Sequence, residues 1–168
     1  IKLTSRGPII FKQERVGLNG LKFYCYKFRT MSFDVSANID KQSITQRGDK
    51  RVSAVGAFLR KTNIDEFPQF INVFNGDMSV VGPRPHMLSE DVMLTEKIDK
   101  YRLRYWVKPG ITGLAAIKGF RGGTESLLLM QQRIDLDIKY IETWSIWLDI
   151  KICFLTAIET LMGSGKGD

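Results

Sequence analysis

The amino-acid sequence predicts a mixed α/β fold that is mostly helical and contains one small antiparallel β-hairpin. Its 168 residues, of which 43% are apolar and 26% charged, suit one globular domain with its own core. Aromatic residues cluster around the turn dipeptide Asn19-Gly20 near the N-terminus, which is a strong hairpin signal. Much of the remaining chain carries apolar residues at helical spacing.

The N-terminal half is predicted to hold the hairpin and two short helices. Residues 8–29 form the hairpin, and the polar residues 32–50 are expected to be a mobile loop. Residues 51–61 have helical apolar spacing, and a second helix is predicted at 65–75. Gly76 ends this second helix, because glycine readily takes the left-handed conformation found just after helices.

The C-terminal half is predicted to be largely helical. Residues 76–85 contain a glycine and two prolines close together, so we expect a fixed, extended backbone there. An amphipathic helix is predicted at 88–106, followed by a glycine-rich irregular segment at 110–124. Residues 126–161 are mostly helical and end in a tryptophan-bearing, largely apolar stretch. This stretch suits either a core helix or a helix that lies in a membrane interface.

The charge and the cysteine content limit the class of partner and compartment. The chain has 25 Lys and Arg against 18 Asp and Glu, a net charge of +7. Such a charge favours an anionic partner: a nucleic acid, a phospholipid surface or a phosphorylated small molecule. Cys25 and Cys153 are too few for a disulfide scaffold and suit a reducing, cytosol-facing compartment. The sequence has no apolar run of about 20 residues, no phosphate-binding glycine loop and no Cys/His metal spacing.

Two adjacent carboxylates, Asp65 and Glu66, stand where the second helix is predicted to begin. Pro68 fits only the first turn of a helix, which places Asp65 near the N-cap and Glu66 just inside. A helix N-terminus favours negative charge, so this site suits a carboxylate, a bound phosphate or both. Arg60 and Lys61, one turn upstream, would hold further phosphate charge. An ordinary charged helix start also accounts for these residues.

Basic side chains at two further places are candidates for phosphate binding. Arg84 lies between two prolines, which pre-organises its guanidinium for a phosphate or carboxylate. Lys27 and Arg29 share one face of the second hairpin strand, with Arg15 expected across the hairpin. A solvent-facing arginine in a rigid turn and a basic solvated strand face are the structural alternatives.

An Asp-x-Asp sequence at residues 135–137 is a weaker candidate. Such a pair can hold a metal ion with a nucleotide sugar, but here it lies in a helical pattern. Helical residues two apart do not share a face, so only Asp137 alone remains a site candidate.

Five sequence motifs occur in a fixed order along nearly the whole chain. They are residues 7–17 with 26–31, residues 60–69, residues 76–85, residues 108–113 and residues 144–151. Together they resemble the bacterial sugar transferases, the polyprenyl-phosphate hexose-1-phosphate transferases that start the assembly of cell-surface glycans. Residues 85–88 and 119–122 look most like the undecaprenyl-phosphate glucose phosphotransferases within that family.

The resemblance implies a chemistry for the paired carboxylates. Asp65 would attack the sugar phosphate of a UDP-sugar and expel UMP, leaving an aspartyl phospho-sugar that undecaprenyl phosphate then takes up. Glu66 would hold Mg²⁺, with further charge neutralised by Arg60 and Arg84. The remaining expected substrate contacts are Lys27, Arg29, Arg51, Thr62, Gln69 and Asp137. Glucose is the first expectation for the sugar and galactose the second, and the products would be capsule, exopolysaccharide or O-antigen glycans.

The resemblance also implies a setting for the reaction. Residues 1–168 would form the single catalytic domain of a monotopic membrane enzyme, from which an N-terminal membrane segment is missing. Its amphipathic helices and its net charge of +7 suit the anionic cytoplasmic face of the bacterial inner membrane. Membrane lipids are then expected partners, and a homodimer remains open.

Three other functions compete with this interpretation. A nucleic-acid-binding domain would explain the charge, but basic and acidic residues are interleaved and no RNA or DNA motif occurs. A catalytically inactive interaction module could have the same fold. A Mg²⁺-dependent nucleotide-sugar hydrolase could use the same carboxylates with water in place of the lipid.

Overall fold

A computed structural model describes residues 1–2, 4, 6–32, 49, 51–120 and 126–162. Its strands are β1 (Ile10–Val16), β2 (Lys22–Phe28), β3 (Ser79–Val81) and β4 (Gly110–Thr112). Its α-helices are α1 (Ala54–Lys61), α2 (Gln69–Phe74), α3 (Leu88–Lys97), α4 (Leu114–Ile117), α5 (Leu127–Glu142) and α6 (Ile146–Leu161). The predicted mixed, mostly helical fold is confirmed. The predicted loop at 32–50 lies outside the described residues except for Ser32 and Asp49.

The predicted hairpin is present as the antiparallel pair β1 and β2. Its turn is the 3₁₀ turn Leu18–Gly20, in which Asn19 has a φ of 56°. Asparagine tolerates this left-handed conformation better than most residues, which is why the dipeptide Asn19-Gly20 predicts the turn. The register places Phe11 opposite Lys27 and Phe23 opposite Arg15. Arg15 therefore lies on the strand facing Lys27 but at the other end of the hairpin.

The helix predicted at 65–75 begins later than expected. The α-helix α2 starts at Gln69, directly after Pro68, and the two carboxylates lie in a separate 3₁₀ turn, Ile64–Glu66. The prediction that Asp65 stands near a helix N-cap is therefore wrong, because Pro68 marks the true start of α2. Left-handed Asn63, with a φ of 54°, lies between the end of α1 and the start of this 3₁₀ turn.

A short parallel pair of strands, which the sequence did not predict, joins two glycine-rich segments. Val81 on β3 pairs with Thr112 on β4. A Cβ atom on Gly110 would stand 2.1 Å from the backbone nitrogen of Gly82. A Cβ atom on Gly113 would stand 2.3 Å from the carbonyl oxygen of Gly82. These glycines are needed because the two backbones touch. The pair positions the residues that follow β3.

The long helical predictions are divided in the structure. The helix predicted at 88–106 ends at Lys97 and is followed by the 3₁₀ turn Tyr101–Trp106. The stretch 126–161 forms two helices, α5 and α6, separated by residues 143–145. Ser145 accepts a hydrogen bond from the Leu148 N–H at 3.2 Å, which caps α6 and explains why a new helix starts there.

Two clusters of buried residues form the core. The larger lies between α3, the 3₁₀ turn Tyr101–Trp106 and α5, and consists of Leu94, Ile98, Tyr101, Met130, Ile134 and Ile138. The smaller joins β3, α5 and α6 through Val81, Tyr140 and Ile152. Among the described residues, no helix combines the length and apolarity required to cross a bilayer.

Candidate functional site

Three separate elements bring a carboxylate and two cations together. Lys27 comes from β2, Glu66 from the 3₁₀ turn before α2, and Arg84 from the segment after β3. Glu66 Oε1 accepts from Lys27 Nζ at 2.8 Å and from Arg84 Nη2 at 2.5 Å. Glu66 Oε2 accepts from Arg84 Nη1 at 3.1 Å, which completes a bidentate pair. These three predicted site residues form one cluster, and Asp65 adjoins it in the sequence.

A buried asparagine ties the carboxylate turn to the hairpin. Asn72 on α2 is fully buried, and its Oδ1 accepts from the Tyr26 N–H at 3.0 Å. Its Nδ2 donates to the Tyr24 carbonyl at 2.7 Å and to Asp77 Oδ2 at 3.2 Å. These bonds fix α2, and the turn before it, against β2. The sequence analysis missed Asn72, although a polar residue within the apolar run of α2 was a usable signal.

The pKa values of the two neighbouring carboxylates are shifted in opposite directions. Burial would raise the pKa of Glu66, but Arg84 and Lys27 outweigh burial and hold that pKa well below its usual value. Burial raises the pKa of Asp65, the negative charge of Glu66 raises it further, and Lys27, Arg84 and Arg60 only partly oppose this. Among the described residues, Asp65 makes no hydrogen bond. It is a carboxylate close to cations with its oxygens available to a ligand.

Two other predicted arginines are engaged with the backbone and with a hydroxyl group. Arg60, in the last turn of α1, donates from Nε to Thr30 Oγ1 at 2.9 Å. Arg29 is buried and donates to the Pro8 carbonyl at 2.7 Å and to the Met31 carbonyl at 3.2 Å. Arg60 lies close enough to lower the pKa of Asp65, whereas the bonds of Arg29 hold the strand end.

The remaining predicted site residues are Thr62, Gln69, Arg51 and Asp137, each in its own local surroundings. Thr62 Oγ1 donates to the Phe58 carbonyl at 2.9 Å at the end of α1, and Gln69 is buried at the start of α2. Arg51 is exposed and pairs with Asp49 at 2.6 Å. Asp137 is buried and ion-paired with Arg104, whose Nε lies 3.0 Å from Asp137 Oδ2. Whether these four residues contact the substrate stays a prediction.

The donor set at Asp65 and Glu66 is compatible with Mg²⁺. No group of three or more acidic, histidine or cysteine side chains that could form a metal site occurs within the part of the chain that the structure describes. Mg²⁺ does not need one, since it usually binds one or two carboxylates together with substrate phosphates and water. Asp65 and Glu66 would supply those carboxylates, since the Asp65 side chain makes no hydrogen bond to the described residues and Glu66 Oε2 accepts a single one, from Arg84.

Comparison with known proteins decides the family. The model of the family described as "Bacterial sugar transferase" matches residues 1–163, nearly the whole chain. The chain belongs to the bacterial sugar transferase family. This bacterial sugar transferase is 52% identical over 95% of its length to a UDP-glucose:undecaprenyl-phosphate glucose-1-phosphate transferase of Klebsiella pneumoniae. It is 51% identical over 93% of its length to a protein of that name from Caulobacter vibrioides, and 47% identical over 95% to one from Escherichia coli.

The bacterial sugar transferase matches only part of these relatives. It spans 34% of the Klebsiella and Escherichia proteins and 58% of the Caulobacter protein. The family assignment confirms the resemblance that the five motifs indicated. It also places the Lys27–Glu66–Arg84 cluster within the matched region.

Proposed function

We propose that the protein transfers a hexose-1-phosphate from a UDP-sugar to undecaprenyl phosphate and releases UMP. The names of the relatives support this class of donor and acceptor. The single observation in the structure that carries the proposal is the pair Asp65 and Glu66. One carboxylate is held by Lys27 and Arg84, and its neighbour makes no hydrogen bond among the described residues.

The proposed first step is attack by an Asp65 oxygen on the phosphorus attached to the sugar. A bond from Asp65 to phosphorus forms, the bond from phosphorus to the bridging oxygen breaks, and UMP leaves with that electron pair. In the second step a phosphate oxygen of undecaprenyl phosphate attacks the same phosphorus and frees Asp65. The product is undecaprenyl-diphosphate-sugar, and the two steps give ping-pong kinetics.

The residues around Asp65 neutralise charge in both steps. A carboxylate approaching a phosphate is repelled, and phosphoryl transfer depends mainly on positioning and charge neutralisation. Lys27, Arg60 and Arg84 supply the positive charge, and Glu66 holds two of these cations in place. Mg²⁺ bound at Glu66 would supply two further charges to the diphosphate. Glucose is the first sugar proposed and galactose the second.

We also propose that the protein works at the cytoplasmic face of the bacterial inner membrane, where the acceptor lies. Helix α6 supports this, since its exposed apolar side chains recur at helical spacing along one face. These are Ile146, Trp147, Ile150, Phe154, Ile158 and Leu161. A charge of +7 adds attraction to an anionic leaflet.

The deciding experiment measures UMP release by the protein in membranes or detergent. The reaction contains UDP-glucose, undecaprenyl phosphate and Mg²⁺, and UDP-galactose is tested in parallel. Asp65→Asn is expected to abolish release, whereas Asp135→Asn on the exposed face of α5 keeps it. Without lipid, the protein is expected to release at most one UMP per molecule and to retain labelled sugar phosphate covalently.

Other outcomes point to the competing functions. Continuous UMP release with free sugar phosphate in the absence of lipid would indicate a hydrolase. UMP release that persists in Asp65→Asn would remove Asp65 from the chemistry. No UMP from any UDP-sugar would favour an inactive module of the same family.

A further inference from the structure

The backbone that carries Arg84 is held by its carbonyl groups. Two of residues 83–85 are prolines, so the segment offers only the N–H of Arg84 as a backbone donor and cannot be held by ordinary strand pairing. All three carbonyls accept a hydrogen bond. The donors are the Gly110 N–H to Pro83 at 2.9 Å, Arg104 Nη2 to Arg84, and Arg15 Nη1 to Pro85 at 3.2 Å.

The side chain of Arg104 is held by contacts with Asp137, His86 and Tyr101. It is buried, and its Nε donates to Asp137 Oδ2 at 3.0 Å. Its Nη1 lies 3.1 Å from His86 Nδ1, and its guanidinium stands 5.0 Å from the centre of the Tyr101 ring. The planar fork of a guanidinium can serve these partners at once, whereas the point charge of a lysine cannot.

Arg15 binds the same segment from the hairpin. Its Nη2 donates to Gln13 Oε1 at 2.5 Å, and Glu90 Oε2 lies 3.9 Å from its Nη1. The backbone of Arg15 also forms an isolated antiparallel bridge with Met87, two residues beyond Pro85. The hairpin is thus joined to the segment by a side chain and by backbone pairing.

We propose that Arg104 and Arg15 are positioning residues that clamp the backbone of residues 83–85 and so hold the Arg84 guanidinium against Glu66. Asp137 acts in the same clamp through Arg104, and does not touch the substrate. The kinetic consequence rests on the proposed function. A misplacement of about 1 Å at a charge-neutralising group can cost about 100-fold in rate, so loosening the clamp lowers kcat more than it raises KM.

The kinetic test compares Arg104→Lys with Arg102→Lys, an exposed position in the same 3₁₀ turn. We expect Arg104→Lys to lower kcat for UMP release by about tenfold or more, with KM for the UDP-sugar changed less than about threefold. Arg102→Lys is expected to match the unaltered protein. In an Arg84→Lys background, Arg104→Lys should cost less than about twofold, because the group it positions is gone. An equal cost in both backgrounds would overturn the proposal.

A second double-mutant cycle separates the two roles open to Asp137. If Asp137 acts through Arg104, Asp137→Asn lowers kcat in the unaltered protein but adds little to Arg104→Lys. A full additional loss in the Arg104→Lys background would mean that Asp137 contacts the substrate directly. If Arg104→Lys fails to fold, Arg15→Lys replaces it in the kinetic comparison with Arg102→Lys, because Arg15 holds the same segment from the hairpin through the Pro85 carbonyl.

NMR of the Arg84 guanidinium tests the clamp without an enzymatic reaction, and so remains informative if the protein does not catalyse the proposed transfer. The guanidinium signals of Arg84 are followed by NMR in protein labelled with ¹⁵N-arginine and assigned through Arg84→Lys. We expect Arg104→Lys and Arg15→Lys to shift these signals and speed their exchange with water, and Arg102→Lys to leave them in place. Unchanged Arg84 signals in both clamp variants would refute the clamp, whereas absent UMP release in the unaltered protein would refute only the proposed reaction.

Discussion

At the scale of single residues, the site depends on the contrast between Asp65 and Glu66. Glu66 is a structural anion, since both of its oxygens accept from cations. Asp65 is desolvated without a hydrogen bond from the described residues, so its ionised form is held at a cost in stability. Removing the charge of Asp65 should therefore stabilise the protein, whereas removing the charge of Glu66 should destabilise it.

We expect Asp65→Asn to stabilise the protein by about 1 kcal/mol at pH 7, and Glu66→Gln to destabilise it by about 3 kcal/mol. A raised folded pKa means that ionised Asp65 opposes folding at neutral pH, so the gain from Asp65→Asn shrinks as the pH falls toward 3.8. The pKa of Glu66 is lowered in the folded state, so ionised Glu66 stabilises the fold above about pH 4.5. This stabilisation is lost as the pH falls below that value. Urea unfolding at several pH values measures both. Destabilisation by Asp65→Asn at pH 7 would contradict the description of its carboxylate.

The charge of Lys27 should be visible in the pH dependence of UMP release. In the proposed reaction Asp65 must be ionised to attack, so we expect activity to fall as the pH drops through its pKa, which burial raises above its usual value of 3.8. Lys27→Met removes a cation that lowers this pKa, and we expect the acidic limb of kcat/KM to move to higher pH. Lys22→Met, at an exposed position of the same strand β2, is the matched control and should leave the limb unchanged. An unshifted limb in Lys27→Met would show that another group controls it.

At the scale of elements, local signals predicted the hairpin and non-local contacts decided the site. The turn dipeptide Asn19-Gly20 specifies β1 and β2 within a short stretch of chain. The strands β3 and β4 have three residues each, too few for a recognisable alternation, and they pair across about thirty residues of sequence. Pattern reasoning could name Glu66 and Arg84 as candidates, but only the fold shows that they form a pair.

The buried side chains Asn72 and Arg104 escaped prediction for a related reason. Each is a polar residue within a helical pattern, which can mark it as unusual but cannot identify partners that are distant in sequence. Asn72 binds a strand 46 to 48 residues away, and Arg104 binds Asp137 33 residues away. Their function becomes visible only when burial and partners are known together.

The contact between β3 and β4 gives a prediction for one glycine. A Cβ on Gly113 would stand 2.3 Å from the Gly82 carbonyl oxygen, a backbone atom that cannot move aside alone. We expect Gly113→Ala to cost about 3 kcal/mol and to lower UMP release, because the segment bearing Arg84 follows β3. Gly119→Ala meets no atom within 4 Å and has only the strain of its φ of 89°, about 1 kcal/mol. Thermal unfolding and the UMP assay test both, and equal effects would argue against the close backbone contact.

At the scale of the whole molecule, the exposed surface combines apolar helix faces with net positive charge. Helix α6 exposes Trp147 and Phe154, and α2 exposes Phe70 and Phe74, the latter 92% exposed. Helix α2 directly follows the turn that bears Asp65, so an apolar surface adjoins the candidate nucleophile. A lipid acceptor whose phosphate lies at the headgroup plane would require this arrangement.

The final prediction concerns membrane binding. We expect the protein to bind vesicles rich in phosphatidylglycerol more tightly than phosphatidylcholine vesicles, and the difference to shrink with added salt, because a charge of +7 is screened. Trp147→Glu, at a side chain 77% exposed on α6, should weaken binding about tenfold or more, since it replaces an interfacial aromatic with an anion. The control is Val92→Glu on α3, a helix that packs on β1 and the 3₁₀ turn Tyr101–Trp106, whereas α6 packs on α4, β3 and β4. Flotation measures all three proteins, and equal loss in both variants would mean that charge alone, and not the face of α6, governs binding.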